Sequence, residues 1–237
     1  MELHKKIKSA VRDLLYLLEQ GYPRKASVEL VGNRYRMTSQ ERMVLYRGVF
    51  PRDVCERRIQ KRWCEDAASF EHCVIDGYNV FISIESYLHG KLVFKALDGF
   101  TRDVSGVYGN YAYGEKTSRV AELIIRVLQQ YLGAVSLFTV YLDYPVSKSG
   151  EFAGFLREKM EKSGLPARVE VVKNPDGIIN MKHASDLIAT SDSVLIDRGM
   201  CCIDIPGFVF SGIMAKAIPD LQLLMSEELP WLSSLLQ

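Results

Sequence analysis

From His72 to Ile205 the chain alternates short β-branched or aromatic-rich runs with helical patterns, and no other feature limits its fold so sharply. The runs are "HCVID", "VSLFTVYLD", "RVEVV", "DLIATSD" and "CCIDI", each with the composition of a buried strand. Between the first two, Val120, Leu123, Ile124, Val127, Leu128, Tyr131 and Leu132 recur at the spacing of one helix face. A second helix is predicted over Glu151 to Ser163 from Phe152, Phe155, Leu156 and Met160, and Gly164-Leu165-Pro166 ends it. Strands that alternate with helices predict an α/β domain whose mostly parallel sheet is covered on both faces.

The first 66 residues have a different texture. Ile7, Val11, Leu14, Leu15 and Leu18 form one helical face that Gly21-Tyr22-Pro23 stops, and a second helix is predicted from Arg24 to Val31. Thr38-Ser39-Gln40-Glu41 has the spacing of a capping box and opens a third, while "RDVCERRIQKRW" is either a fourth helix or a connector. Residues 1–66 carry 15 Lys/Arg against 9 Asp/Glu, and the remainder carries 15 against 20, although the whole chain has a net charge of +1. A small, all-helical, basic domain (1–66) is therefore expected ahead of the α/β domain (67–237). It is too short to bury much core unless it docks on the remainder.

No apolar stretch approaches the roughly 20 residues that span a bilayer, and "MELHKKIKSAVRDLL" is charged where a signal peptide needs an apolar core. Cys55, Cys64, Cys73, Cys201 and Cys202 form no C-x-x-C pair and read as reduced thiols of a cytoplasmic protein. The four histidines are scattered along the chain, which argues against a zinc centre.

Three strand candidates run directly into aspartate, at Asp76, Asp143 and Asp192. In an open parallel sheet the C-terminal ends of the strands share one edge, where ligands bind. Each junction has two readings. Aspartate is a favoured helix N-cap, so a strand–Asp–helix junction needs no further role. Three carboxylates on one edge also repel each other unless a cation sits among them, and such hard oxygen ligands suit Mg²⁺ or Mn²⁺. In "VIDGYNV" a glycine follows the carboxylate, and Asn79 is spaced to orient Asp76 or a metal-bound water.

"VIDGYNV" resembles the first strand of PIN-like nucleases, particularly the NYN branch, whose opening strand ends in Asp-Gly-x-Asn, and "IATSDSVLID" resembles their Ser-Asp strand. Over nearly its full length the chain is similar to an uncharacterised, mainly archaeal family that joins a small basic helical domain to a PIN-like domain. "RDLLYLLEQGYPRKASVELVGNRYRMTSQERMVLYRGV", "DGFTRDVSGVYG" and "DYPVSKSGE" carry that match. The resemblance implies a Rossmann-like, PIN-type three-layer domain, with Asp76 at the first acidic position and Asp192 at the Ser-Asp position. For the acidic residue that PIN domains carry on a helix before that strand, Asp176, Asp186 and Asp143 are the candidates.

Residues 98–116 join the first strand to the long helix and hold Asp98, Arg102 and Asp103, with Tyr108, Tyr111 and Tyr113 among glycines. Asp103 is a further candidate metal ligand and Arg102 a substrate contact; the tyrosines either stack on unpaired bases or pack on the sheet. In "DYPVSKSGE", Ser147, Lys148 and Ser149 open a helix where an anion is favoured, though a plain capped turn has the same sequence. Arg34, Arg36, Arg42 and Arg47 form a basic set that either meets phosphates or docks the front domain on the acidic remainder.

The expected function is metal-dependent phosphodiester hydrolysis by a nuclease, with RNA ahead of DNA as partner. Asp76, Asp143 and Asp192 would hold Mg²⁺ or Mn²⁺, with Asn79 and Ser191 orienting ligands and Lys148 holding the phosphate. The rivals are a non-catalytic nucleic-acid-binding module with a decayed metal site and a small-molecule phosphatase.

Overall fold

The structure, a computed structural model of the chain, describes residues 2–62, 70–105 and 114–235. Four helices come first: α1 (Glu2–Glu19), α2 (Arg24–Arg34), α3 (Ser39–Gly48) and α4 (Arg52–Lys61). Strand β1 (His72–Asp76) runs straight into α5 (Gly77–Leu88), and a hairpin of β2 (Val93–Lys95) and β3 (Thr101–Asp103) follows. Next come α6 (Glu115–Tyr131), β4 (Leu137–Asp143), α7 (Ser149–Lys162), β5 (Ala167–Val172) and α8 (Pro175–Lys182). The chain continues through β6 (Leu187–Ala189), α9 (Ser193–Arg198), β7 (Cys201–Ile203) and the short helices α10 (Ile205–Phe208), α11 (Leu221–Met225) and α12 (Pro230–Leu235). No described helix is long and apolar enough to cross a membrane.

Two compact units emerge, and they are interleaved along the chain. The first gathers Met1–Gln60, Val93–Val104 and Ile218–Gln237, and the second Lys61–Leu92 and Ser105–Ala217. A single boundary at residue 66 does not describe these units, because the hairpin and the tail fold with the front helices. Gly48 shows why. A Cβ there would lie 2.6 Å from the Phe94 ring and 2.7 Å from Leu221, so both pack on bare helix backbone. Backbone bonds complete the joint: Leu97 N–H donates to Gly48 O (2.9 Å) and Lys95 N–H to Pro219 O (2.8 Å). The front region is thus helical as expected, and its compact unit also takes in two strands.

Within the first unit, Thr38 makes the anticipated capping box, its hydroxyl accepting from Glu41 N–H while Glu41 Oε2 accepts from Thr38 N–H at 2.7 Å. The core of this unit is unusual in holding charge. Asp98 is fully buried; its carboxylate accepts two bonds from Arg102 (2.5 and 2.8 Å) and one from Arg58 (2.9 Å), and both arginines are 4% exposed or less. The Phe50 ring lies under the guanidinium carbons of Arg24, Arg58 and Arg102 at 4.2, 4.3 and 5.0 Å, a cation–π stack in a dry setting.

The second unit is the α/β fold read from the alternation. Its five strands lie in the order β5-β4-β1-β6-β7 and every pairing is parallel, with Asp76 beside Tyr141 and Ile75 beside Ala189. Because side chains alternate across a sheet, His72 and Asp76 share a face with Thr139 and Tyr141. The opposite face carries Phe138, Val140 and Leu142, all buried.

Gly77 is where strand gives way to helix. A Cβ at this position would sit 2.6 Å from Leu142 Cδ2 and 2.8 Å from the Tyr141 carbonyl, so α5 starts in direct contact with β4. Gly77→Ala is expected to cost about 1–3 kcal/mol, since a backbone carbonyl cannot step aside cheaply. Urea unfolding of the variant checks this, and a loss below about 0.5 kcal/mol, the usual scatter of surface changes, would contradict it.

Candidate acidic site at the strand ends

Asp76 occupies the N-cap position of α5, yet its side chain caps nothing. It is 2% exposed, and its Oδ2 accepts from Asn79 Nδ2 at 2.5 Å and from Thr190 Oγ1 at 2.7 Å. Asn79 therefore orients Asp76 as its spacing suggested. Both donors use the same oxygen, Oδ2. Burial pushes the Asp76 carboxyl up to about 7; the two hydrogen bonds oppose that rise, and the charges of Asp176 and Asp192 add to it.

Asp192 divides its duties. Its Oδ1 accepts from Val194 N–H (2.8 Å) and Leu195 N–H (3.1 Å), which makes it a true N-cap of α9. Of the two readings of a strand–Asp–helix junction, the cap is thus realised at Asp192 and not at Asp76. The neighbouring Ser191 Oγ is buried with no hydrogen-bond partner.

Asp176, one of the candidates for the helix carboxylate, lies in the first turn of α8. Asn174 caps that helix by accepting from Gly177 N–H at 3.0 Å, and Pro175 occupies its first turn. Asp176 Oδ1 is buried and unpartnered, and so is Oδ1 of Asn180, one helical turn further on the same face. Burial raises the Asp176 carboxyl, and the charges of Asp192 and Asp143 raise it further. The charges of Asp176 and Asp192 thus reach Asp76, and those of Asp192 and Asp143 reach Asp176. The signal for Asp176 was present in "NPDG", a capping Asn with proline behind it, whereas Thr190 carries no pattern that marks it in advance.

These carboxylates are not drawn into a closed cage. Among the described residues, no three of their ligand oxygens lie within 4.8 Å of one another. The donor set is nonetheless all oxygen, partly buried and short of positive charge, which fits a hard divalent cation with waters completing its shell.

Around Asp143, Ser147 and Lys148 are exposed, and Lys148 adopts a left-handed backbone (φ 61°) at the start of α7. Its Nζ lies 3.9 Å from Glu151, a weak exposed pair that leaves the ammonium open to other anions. Ser149 is buried and spends its hydroxyl on Tyr144 O, so it serves the turn.

Other expected contacts belong to the first unit and are committed within it. Arg102, 1% exposed, chelates Asp98, which removes it as a substrate contact. Asp103 is buried and accepts from Arg47 through both its carboxylate (3.2 Å) and its backbone oxygen (2.9 Å), so neither is a free ligand. Arg42 ties α2 to α3, donating to Met37 O, Glu29 O and Asn33 Oδ1. Arg34 and Arg36 remain exposed, with Arg34 3.5 Å from Asp13. Tyr108, Tyr111 and Tyr113 lie outside the described residues.

Two family models match the chain. "Domain of unknown function (DUF5616)" covers residues 66–208 and "Protein of unknown function (DUF434)" covers residues 6–61. "Uncharacterized protein MJ0935" of Methanocaldococcus jannaschii is 33% identical over 193 residues, spanning 80% of this chain and 88% of its own length. No solved structure matches the chain.

Proposed function

The chain belongs to the family of the domain of unknown function DUF5616, preceded by DUF434, and from that starting point we propose that it is a metal-dependent nuclease of PIN/NYN-like type. Its substrate would be single-stranded nucleic acid, RNA ahead of DNA. The observation that carries this reading is Asp76, a buried carboxylate at a strand end that caps no helix and feels the charges of Asp176 and Asp192, with no cation acting on it among the described residues. Such an arrangement is costly for a fold and useful for holding a metal ion.

In this reading Asp76, Asp176 and Asp192 hold one or two Mg²⁺ or Mn²⁺ ions, with Asp143 at the margin. A bound ion supplies neutralisation of phosphoryl charge and a water acidic enough to attack phosphorus. The protein's own groups do the remainder. Asn79 and Thr190 hold Asp76 in one rotamer, and the unpartnered oxygens of Asn180 and Ser191 offer neutral ligands that add no repulsion. Lys148, exposed beside the end of β4, meets a phosphate oxygen of the substrate, and Ser147 lies next to it.

The test is cleavage of end-labelled single-stranded RNA with Mn²⁺ and with EDTA, beside hydrolysis of p-nitrophenyl phosphate. Cleavage that needs metal and disappears in Asp176→Asn is the expected result. Turnover of the small ester alone would mark a phosphatase, and binding of RNA without cleavage would mark a regulatory module.

A further inference from the structure

The fold gathers two of the scattered histidines onto one carboxylate. Asp186 Oδ2 lies 2.9 Å from His72 Nδ1 and 2.8 Å from His183 Nδ1. The far nitrogen of each ring is held as well, His72 Nε2 by Thr139 Oγ1 at 2.9 Å and His183 Nε2 by Tyr141 Oη at 3.0 Å. His72 begins β1, Thr139 and Tyr141 stand on β4, and His183 follows the last turn of α8. Seven residues separate Asp176 from His183, about 10 Å along α8 at 1.5 Å per residue, so this cluster is distinct from the acidic edge.

We propose that His72, His183 and Asp186 bind one zinc-class divalent cation. Three observations converge on it. The three ligand atoms lie within 4.8 Å of one another, and the two nitrogen–oxygen separations approach the roughly 3.3 Å edge of a tetrahedron with 2.0–2.1 Å bonds. Two imidazoles and one carboxylate form a borderline donor set that favours Zn²⁺ over Mg²⁺ or Mn²⁺. Both histidines already have the outer hydrogen-bond partner that metal-bound histidines need to fix their tautomer.

The protons balance without adding charge to either ring. One neutral-ring tautomer satisfies all four contacts without metal: each Nδ1–H donates to Asp186, and the Thr139 and Tyr141 hydroxyls donate to the Nε2 atoms. With a cation on the Nδ1 atoms, each ring proton sits on Nε2 and donates to the same hydroxyl oxygen. The side chains of His72, His183 and Asp186 are 21, 14 and 26% exposed, so a cation has a path in and a fourth position stays open to water or an outside ligand.

Calorimetric titration of the full chain with Zn²⁺, and with Co²⁺ followed by visible absorption, tests the site without reference to cleavage. With excess Mg²⁺ present to occupy the acidic edge, one Zn²⁺ per chain is expected, with binding lost in both His72→Gln and His183→Gln and kept in Asp76→Asn. Tyr141→Phe should weaken binding about tenfold or more by removing an outer partner. Metal-free melting curves of the variants show which of them remain folded, and Asp186→Asn supplies a same-shape replacement. Absence of Zn²⁺ binding, binding unchanged in the histidine variants, or a Co²⁺ spectrum with thiolate charge-transfer bands would each overturn the proposal.

Discussion

Asp76→Asn should raise the melting temperature at pH 8 in EDTA and abolish metal-dependent cleavage in the same protein. Burial lifts this carboxyl from 3.8 to about 7 in the folded state. Between those values the folded chain keeps a proton that the unfolded chain has released, so Asp76 favours folding below 3.8 and loses that contribution as pH climbs through 7. At pH 8 the native protein bears an ionised, buried carboxylate. A shift of about three units corresponds to about 4 kcal/mol, an upper bound because the new amide needs a partner of its own. At 2–4 °C per kcal/mol for a chain of this size, a rise of several degrees is expected, shrinking towards zero by about pH 4. A fall in melting temperature at pH 8 would show that Asp76 is a structural anchor and would remove the basis of the nuclease reading.

The opposite response is expected at Asp98. Asp98→Ala leaves Arg58 and Arg102 buried with their shared counter-charge gone, and breaking a buried pair from one side typically costs about 3–5 kcal/mol. Phe50 cannot compensate, since its π face already meets three guanidiniums. Because the chain folds as two compact units, the loss should appear as a separate early transition of the first unit. Arg102→Leu, which keeps the Arg58–Asp98 bond, should cost less. Hydrogen exchange of amides in α3 and α4 reads the effect directly. Near-wild-type protection in Asp98→Ala would refute it.

The parts of the fold legible in the sequence were those with a strong local code. β-branched runs became the parallel sheet, and Thr38 with Glu41 became a capping box because both partners lie within one turn. Helix α5 was silent because Val80, Phe81, Ile82, Ser83, Ile84, Glu85 and Ser86 are all buried, and a helix buried all round shows no stripe. The hairpin went unread although "LDGF" contains an Asp-Gly turn signal, since β2 and β3 are only three residues each. At the acidic edge, strand-end aspartates were visible while Thr190 and the unpartnered oxygens were not, because they acquire meaning only once strands are neighbours. The arginines mislead for a related reason. Composition counts a charge without saying how it is used: Arg102 spends its own inside the core, and Arg42 spends its own on the chain's own oxygens between α2 and α3.

The interleaving of the two units sets a schedule for biosynthesis. Helices α1 to α4 leave the ribosome early, but Ile218–Gln237, which completes their core, comes roughly 160 residues later. At about 5–20 residues per second, that gap is about 8–30 s. During it the Gly48 turn of α3 waits without Leu221 packed on it, a nascent chain with apolar surface that chaperones hold and proteases find. A gene fragment cut at the DUF434 boundary would make that waiting permanent.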